Sequence, residues 1–305
     1  LVVGASGLLG RCLMKEFETR GHTVVGTAMS RQKDPLIALD VHDDEEVKTV
    51  LAKTKPEVVV YASSNQVKEG GSASPDPVGR FAAEAQEVGA WVLFMSSDQV
   101  SRVNKTAAGG QVDFAKRKLA DEESLTKATG GDSGIVRLAV MYGPLLKIGD
   151  SPITVLAKGI FPRVRQDISI DNRTVHYPAF APEVAGAVAE LVELRGSEGG
   201  GVRGCWEYRG EEGATDYELT LMMAEILKVS VNGHGAPRVS PAGDRDSSPA
   251  ELASNVLEAQ PLTPFLAAKR SSISAHISLR AGLEMVLTKL IPAAALKRDG
   301  EPGAA

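Results

Sequence analysis

An α/β fold, a doubly wound parallel sheet followed by a smaller C-terminal α/β lobe, is predicted by three features of this 305-residue sequence. The chain opens LVVGASGLLGRCLMKEF, a short apolar strand, a loop with glycines at Gly4, Gly7 and Gly10, and then an amphipathic helical run. Downstream, apolar segments of strand length alternate with amphipathic helical segments, the spacing that builds a parallel sheet covered on both faces. Beyond Pro144 that regular alternation stops.

In the opening unit each glycine has its own task. One lets the chain turn sharply, one lets backbone N–H groups approach a pyrophosphate, and one lets the helix pack closely on the strand. A G-x-x-G-x-x-G string is weak evidence alone. Between strand and helix it is stronger, because the helix N-terminus then points partial positive charge at phosphate. The next four strands are expected at 22–26 (HTVVG), 57–62 (EVVVYA), 90–95 (AWVLFM) and 134–140 (GIVRLAV). Between them, Val47, Val50 and Leu51 recur at helical spacing in DDEEVKTVLAK, and Phe81, Ala85 and Val88 do so in PVGRFAAEAQEV. This pattern is of Rossmann type and is assigned to residues 1–143. A smaller substrate-type lobe is assigned to 144–283, with amphipathic helices at 182–195 and 216–229, and is expected to exchange segments with the first. Residues 237–250, rich in Pro, Ser, Gly and Asp, read as loop, and 284–305 as the end of a C-terminal helix and a disordered tail.

Composition narrows the function. The net charge is −5, from 34 basic and 39 acidic residues spread along the chain, so no concentrated field exists for nucleic acid or an anionic membrane. Cys12 and Cys205 are far apart, form no C-x-x-C and read as small buried apolar residues in a reducing compartment. No segment approaches the roughly 20 consecutive apolar residues of a membrane helix, so a cytoplasmic protein is expected. The chain begins at Leu1 and its first strand reads as clipped, which leaves room for an upstream targeting segment. His22, His42, His176, His234 and His276 are scattered without metal-ligand spacing and read as surface or capping residues.

Cofactor choice is written after strand two, where an NAD enzyme normally places an acid against the ribose 2′-OH. Here the segment is GTAMSRQK, with Ser30, Arg31 and Lys33 and no acid, which suits a 2′-phosphate and favours NADP over NAD. The competing reading of Arg31 and Lys33 is solvated loop charge. Asp40 and Val41 are placed to meet the adenine edge, while the neighbouring DVHDDEEV cluster reads as a helix start capped by Asp43 or Asp44. The dinucleotide-binding candidates are therefore Gly4, Ser6, Gly7, Leu8, Leu9 and Gly10 of the first loop, Ser30, Arg31, Asp40, Val41, and Ala62 and Ser63 at the end of strand three.

Strand four ends in Ser96, Ser97 and Asp98, and the next helix carries DFAKRKLADEE. In these motifs the chain resembles the extended short-chain dehydrogenase/reductase superfamily, whose signature is a Ser or Thr after strand four and Tyr-x-x-x-Lys on the following helix. The resemblance implies that Ser97 orients a substrate carbonyl and that Lys118 holds the nicotinamide ribose and lowers the tyrosine pKa. The tyrosine position, however, is Phe114. Phenylalanine keeps the ring but donates no proton, and losing a positioned general acid costs about 10²- to 10⁴-fold in rate. Neither Tyr61 nor Tyr142 has the spacing to Lys118 that the mechanism uses.

Further stretches, RLAVMYG, DNRTVHYPAFAPEVAGAVAEL, GCWEYRGEEGATDYEL and LTPF, are similar to the branch that holds dTDP-4-dehydrorhamnose reductases and the regulatory β subunits of methionine adenosyltransferase. The basic end of strand two and HYPAFAPEVA lie on the β-subunit side. This resemblance implies an NADP-binding regulatory subunit, catalytically weak or inactive, whose partner is a catalytic methionine adenosyltransferase subunit. The alternatives are an NADPH-dependent nucleotide-sugar reductase using Ser97 and Lys118, and a redox-sensing nucleotide-binding protein with another partner. The shortened loop between Ser97 and Phe114 departs from the family pattern.

Overall fold

The computed structural model describes residues 1–29, 35–64, 75–102, 110–161, 167–197, 201–232, 238–244, 259–268 and 276–291. In chain order the first elements are β1 (Val2–Val3), α1 (Leu8–Thr19), β2 (Gly26–Ala28), β3 (Ile37–Ala38), α2 (Asp44–Thr54), β4 (Val58–Tyr61), α3 (Pro77–Glu87), β5 (Trp91–Ser97), α4 (Gly110–Ala128) and β6 (Ser133–Leu138). There follow β7 (Met141–Tyr142), α5 (Pro152–Val155), β8 (Ile168–Asp171), β9 (Val175–His176), β10 (Ala179–Phe180), α6 (Ala181–Ser197), β11 (Gly204–Tyr208), β12 (Ala214–Thr215), α7 (Asp216–Ile226), β13 (Val239–Ala242), β14 (Gln260–Pro261), α8 (Leu262–Ala268) and α9 (Leu279–Leu290).

Eight strands form one parallel sheet in the order β14-β11-β6-β5-β4-β1-β2-β3. The direction of winding reverses between β1 and β4, the switch point at which open α/β sheets bind ligands beyond the carboxyl ends of their strands. The chain divides into two compact units. Unit 1 comprises Leu1–Leu138, Pro182–Tyr208 and Ala250–Ser274, and unit 2 comprises Ala139–Ala181, Arg209–Pro249 and Ala275–Ala305.

Unit 1 contains the large sheet. Its helices form where the expected apolar faces meet suitable caps. The side chain of Asp43 accepts hydrogen bonds from the Glu45 and Glu46 N–H groups, so the acidic cluster starts α2, which buries Val47, Val50 and Leu51. Asp76 caps α3, with Pro77 in its first turn, and α3 buries Phe81 and Ala85. Val88 is 37% exposed because it forms the C-cap rather than continuing the apolar face. The helix expected in the second lobe at 182–195 packs within unit 1. There Arg20 pairs with Glu193 at 2.8 Å and Glu190 at 3.6 Å.

Strand two lies later than expected. Its ladder with β1 starts at Gly26, where an added Cβ would meet the Ala5, Leu36 and Met14 side chains at 2.6–2.9 Å. The preceding His22 is instead held outside the ladder, against the Phe17 ring and Glu193.

Unit 2 has its own core, in which Tyr142, Ile153, Ile160, Phe180, Leu219, Met223, Leu283 and Leu287 pack together. Around it lie three two-stranded pairings, β7 with β10, β9 with β12 and β8 with β13. Helix α7 starts on a reciprocal cap, Thr215 to the Glu218 N–H and Glu218 back to the Thr215 N–H. Residues 239–242, expected as loop, form β13 despite Pro241. A two-stranded pairing has no interior strand, so the missing proline N–H is tolerated.

The N-terminal turn of α1 is brought against β1 by the absence of a side chain at Gly10. A Cβ there would lie 2.7 Å from the Ala5 Cα and within overlap distance of the Gly4 carbonyl oxygen. Gly10→Ala is expected to cost about 1–3 kcal/mol by forcing two backbones apart, read as a lower urea midpoint; an unchanged midpoint would show that α1 does not need this approach.

Candidate functional site

The glycine loop joins β1 to α1 beside the end of β4. Gly4 has φ +85°, a left-handed conformation, and a Cβ on it would meet the Ala62 carbonyl and the Ser63 Cα at 2.9–3.0 Å. The Ala62 N–H in turn donates to the Val3 carbonyl at 2.9 Å. Gly4, Ala62 and Ser63, three of the residues singled out from the sequence, are thus neighbours. Gly7 is the N-cap of α1, and a Cβ on it would meet nothing but the Gly4 carbonyl oxygen at 3.3 Å. The three glycines therefore separate by role: Gly4 makes the turn, Gly10 brings the helix in, and Gly7 leaves space at the helix N-terminus.

A glycine N-cap offers no side-chain oxygen, so the first N–H groups of α1, from Leu8 and Leu9, face an end that no side chain caps. The Ser6 carbonyl is taken by Arg11 Nη1 at 2.8 Å, and Leu9 is buried under the helix. On the β3 side, Asp40 is buried and its carboxylate accepts the His42 N–H at 3.0 Å, while its own N–H donates to Glu46. The Val41 side chain packs in the core of unit 1. Ser30, Arg31 and Lys33 lie outside the described residues.

The second half of the site lies where α4 crosses the end of β5. Lys118, 8% exposed, donates from Nζ to the Met95 carbonyl at 3.3 Å and lies 4.5 Å from the centroid of the Phe94 ring. Burial pushes its ammonium below the usual lysine range, against the raising influence of Asp121 and Glu122. Ser97 is half-buried at the end of β5, its Oγ accepting the Gln99 N–H at 3.3 Å. Phe114 is half-buried one helical turn before Lys118, on the same face of α4. Tyr61 is buried against Phe81 and Phe94 in unit 1, and Tyr142 is buried in the core of unit 2.

Beneath Lys118 is a buried cluster that the sequence reading did not identify. Arg137 on β6 is 0% exposed and Glu122 on α4 is 1% exposed. Arg137 Nε and Nη2 donate to the two Glu122 oxygens at 3.0 and 2.6 Å, and the Ser96 hydroxyl donates to Oε1 at 2.5 Å. Two signals were available: an arginine inside the apolar run GIVRLAV demands a buried partner, and Glu122 follows Lys118 by four residues.

A cleft of about 1290 Å³ opens elsewhere in unit 1, lined by residues such as Thr23, Glu57, Trp91 and Asp132. These precede the strands, so the cleft lies at the opposite end of the sheet from the glycine loop and Ser97. Both thiols are unreactive in character: burial pushes Cys12 up to about 11 and Cys205 up to about 12. Among the described residues no helix is long and apolar enough to cross a membrane, and no cluster of His, Cys, Asp or Glu is arranged to hold a metal ion.

Known proteins are similar to this chain in sequence and in fold. The chain is 27% identical over 248 residues to methionine adenosyltransferase 2 subunit beta of Xenopus tropicalis, covering 75% of this chain and 72% of that protein. It is 26% identical over 303 residues to the same subunit of Danio rerio, covering 90% and 89%. In three dimensions it is similar to dTDP-4-dehydrorhamnose reductase of Bacillus anthracis in complex with NADP, with a TM-score of 0.66 and 16% identity over 94% of this chain and 96% of that one. The pattern of the RmlD substrate binding domain matches residues 1–257. Because that match runs through segments of both units and not through the glycine-loop half alone, the chain belongs to the RmlD substrate binding domain family.

Proposed function

We propose that this chain is an NADP-binding regulatory subunit acting on a methionine adenosyltransferase catalytic subunit, with the dinucleotide as a structural ligand rather than a hydride donor. The observation that carries this reading is Phe114, which stands one helical turn before the buried Lys118 where a reductase of this type needs a proton donor. The names of the relatives from Xenopus tropicalis and Danio rerio support the partner.

The residues present suit the dinucleotide. Gly7 leaves open at the N-terminus of α1 the volume a side chain would fill, and the uncapped Leu8 and Leu9 N–H groups offer donors to a pyrophosphate. Ala62 and Ser63 border the same loop, and Lys118 brings an ammonium for the nicotinamide ribose. Ser30 and Arg31 are assigned to the 2′-phosphate from the sequence. In a reductase the bound cofactor supplies hydride to a carbonyl; here Ser97 and Lys118 can orient a carbonyl and a ribose, but the Phe114 ring delivers no proton.

Three measurements test this. NADPH is expected to bind about 10- to 100-fold more tightly than NADH, with the preference lost in Arg31→Ala; equal affinities would remove the 2′-phosphate assignment. Gly7→Val is expected to abolish NADPH binding while circular dichroism stays native, and normal binding would take the cofactor off this loop. With dTDP-4-keto sugars the wild-type protein is expected to oxidise NADPH at least about 10²-fold more slowly than a tyrosine-bearing reductase, while altering the kinetics of a methionine adenosyltransferase catalytic subunit. Robust turnover would make the chain a nucleotide-sugar reductase instead. Phe114→Tyr is expected to restore nothing, because the hydroxyl returns a donor without the contacts that orient a substrate.

A further inference from the structure

Within unit 1, the ends of α1 and α6 meet in a cluster where carboxylates outnumber the guanidinium they share. Arg20, the C-cap of α1, donates from Nε to Glu16 at 2.8 Å, from Nη1 to Glu193 at 2.8 Å and from Nη2 to the Gly186 carbonyl at 3.4 Å. Glu190, on the same helix as Glu193, reaches the guanidinium only at 3.6 Å. Its side chain is 8% exposed, against 31% for Glu16 and 39% for Glu193. Among the described residues its buried Oε2 has no hydrogen-bond partner. The most buried of the three carboxylates is therefore the one least served by the cation. His22 meets Glu193 at 3.0 Å and packs edge-on against the Phe17 ring. The cluster also forms part of the cleft wall, since Phe17, Gly21 and His22 on one side and Val192, Glu193 and Arg195 on the other line that cleft.

We propose that Glu190 is the proton-accepting member of a pH-sensitive clasp between α1 and α6: protonated, it lets the two helix ends close at the wall of the cleft, and ionised, it loosens them. An ionised Glu190 carries an oxygen without a partner in a buried place and faces the negative charge of two further carboxylates. A proton removes both penalties and leaves only an unpaired hydroxyl, which is far cheaper to bury than a charge. The groups that face Glu190 are Glu16 and Arg20 from α1 and Glu193 from its own helix, while His22 adds a cation beside Glu193 when it is protonated. Burial pushes the Glu190 carboxyl above the usual range, Arg20 works against this, and Glu193 and Glu16 add to it. The folded chain thus binds this proton more tightly than the unfolded chain does. The clasp is strongest at low pH and is lost as the pH rises through the folded midpoint.

The experiment uses the full chain without nucleotide, as wild type, Glu190→Gln and His22→Asn. Amide hydrogen exchange of residues 186–197, corrected for intrinsic rates, is followed between about pH 5 and about pH 8. In the wild type protection is expected to fall by about tenfold or more across that range. Glu190→Gln, whose amide stays neutral, is expected to hold its protection throughout, and His22→Asn is expected to keep the fall. Carboxyl carbon NMR of the wild type gives a readout that needs no variant. There the Glu190 resonance is expected to titrate above the ordinary glutamate value of about 4.3. If Glu190→Gln does not fold, the NMR titration and His22→Asn decide the matter together. Titration of Glu190 at or below the ordinary value would overturn the proposal. So would a fall in protection that persists in Glu190→Gln, or one that vanishes in His22→Asn and makes the histidine the sensor.

Discussion

Arg137 is an arginine placed in the middle of a parallel sheet, fully buried on a strand flanked by β5 and β11. Leaving such a charge unpaired costs several kcal/mol, so its surroundings are constrained more tightly than any apolar residue would require. Glu122 must reach it from α4 with both oxygens, which fixes the rotation of that helix about its own axis. Once that rotation is set, the residues one and two turns earlier on the same face, Lys118 and Phe114, are set with it. The orientation of the site is thus a consequence of satisfying one buried cation.

The glycine loop imposes the complementary constraint at the switch point. Gly10 lets α1 approach β1 to a distance no side chain would allow, and Gly4 brings the loop against the end of β4. These are contacts between backbones, with no side chain able to give way, so the position of the α1 N-terminus follows from two missing Cβ atoms. Gly7 differs because the space beside it is not occupied by the protein. Packing accounts for Gly4 and Gly10, whereas at Gly7 an added Cβ would meet only the Gly4 carbonyl oxygen.

A scaffold built this way can keep a cofactor site after losing its chemistry. Tyrosine to phenylalanine removes one oxygen and leaves the ring, so a half-buried position on α4 loses a proton donor while its packing is preserved. Apart from Lys118 on the same helix, the groups proposed to hold a dinucleotide sit on other elements.

Much of unit 1 was legible in the sequence because its signals are local. The strand–glycine–helix order, the apolar spacing of Val47, Val50 and Leu51, the Asp43 cap and the Ser97 and Lys118 positions depend on residues within a turn or two of one another. What the sequence left open depends on residues far apart. Whether 239–242 pairs with 168–171, whether the helix near 182–195 joins the first unit, and where strand two enters its ladder are decided by partners that no local pattern names. The same holds for the ion pair of Arg137 with Glu122 and for its link to Ser96, which come from three separate elements. By itself the sequence determined the fold class, the glycine loop between strand and helix and the phenylalanine at residue 114, because periodicity, glycine placement and residue identity are properties of the chain. The tertiary structure alone decided which buried charges meet, because the cost of an unpaired charge is felt only when the strands and helix that carry its partners are brought together.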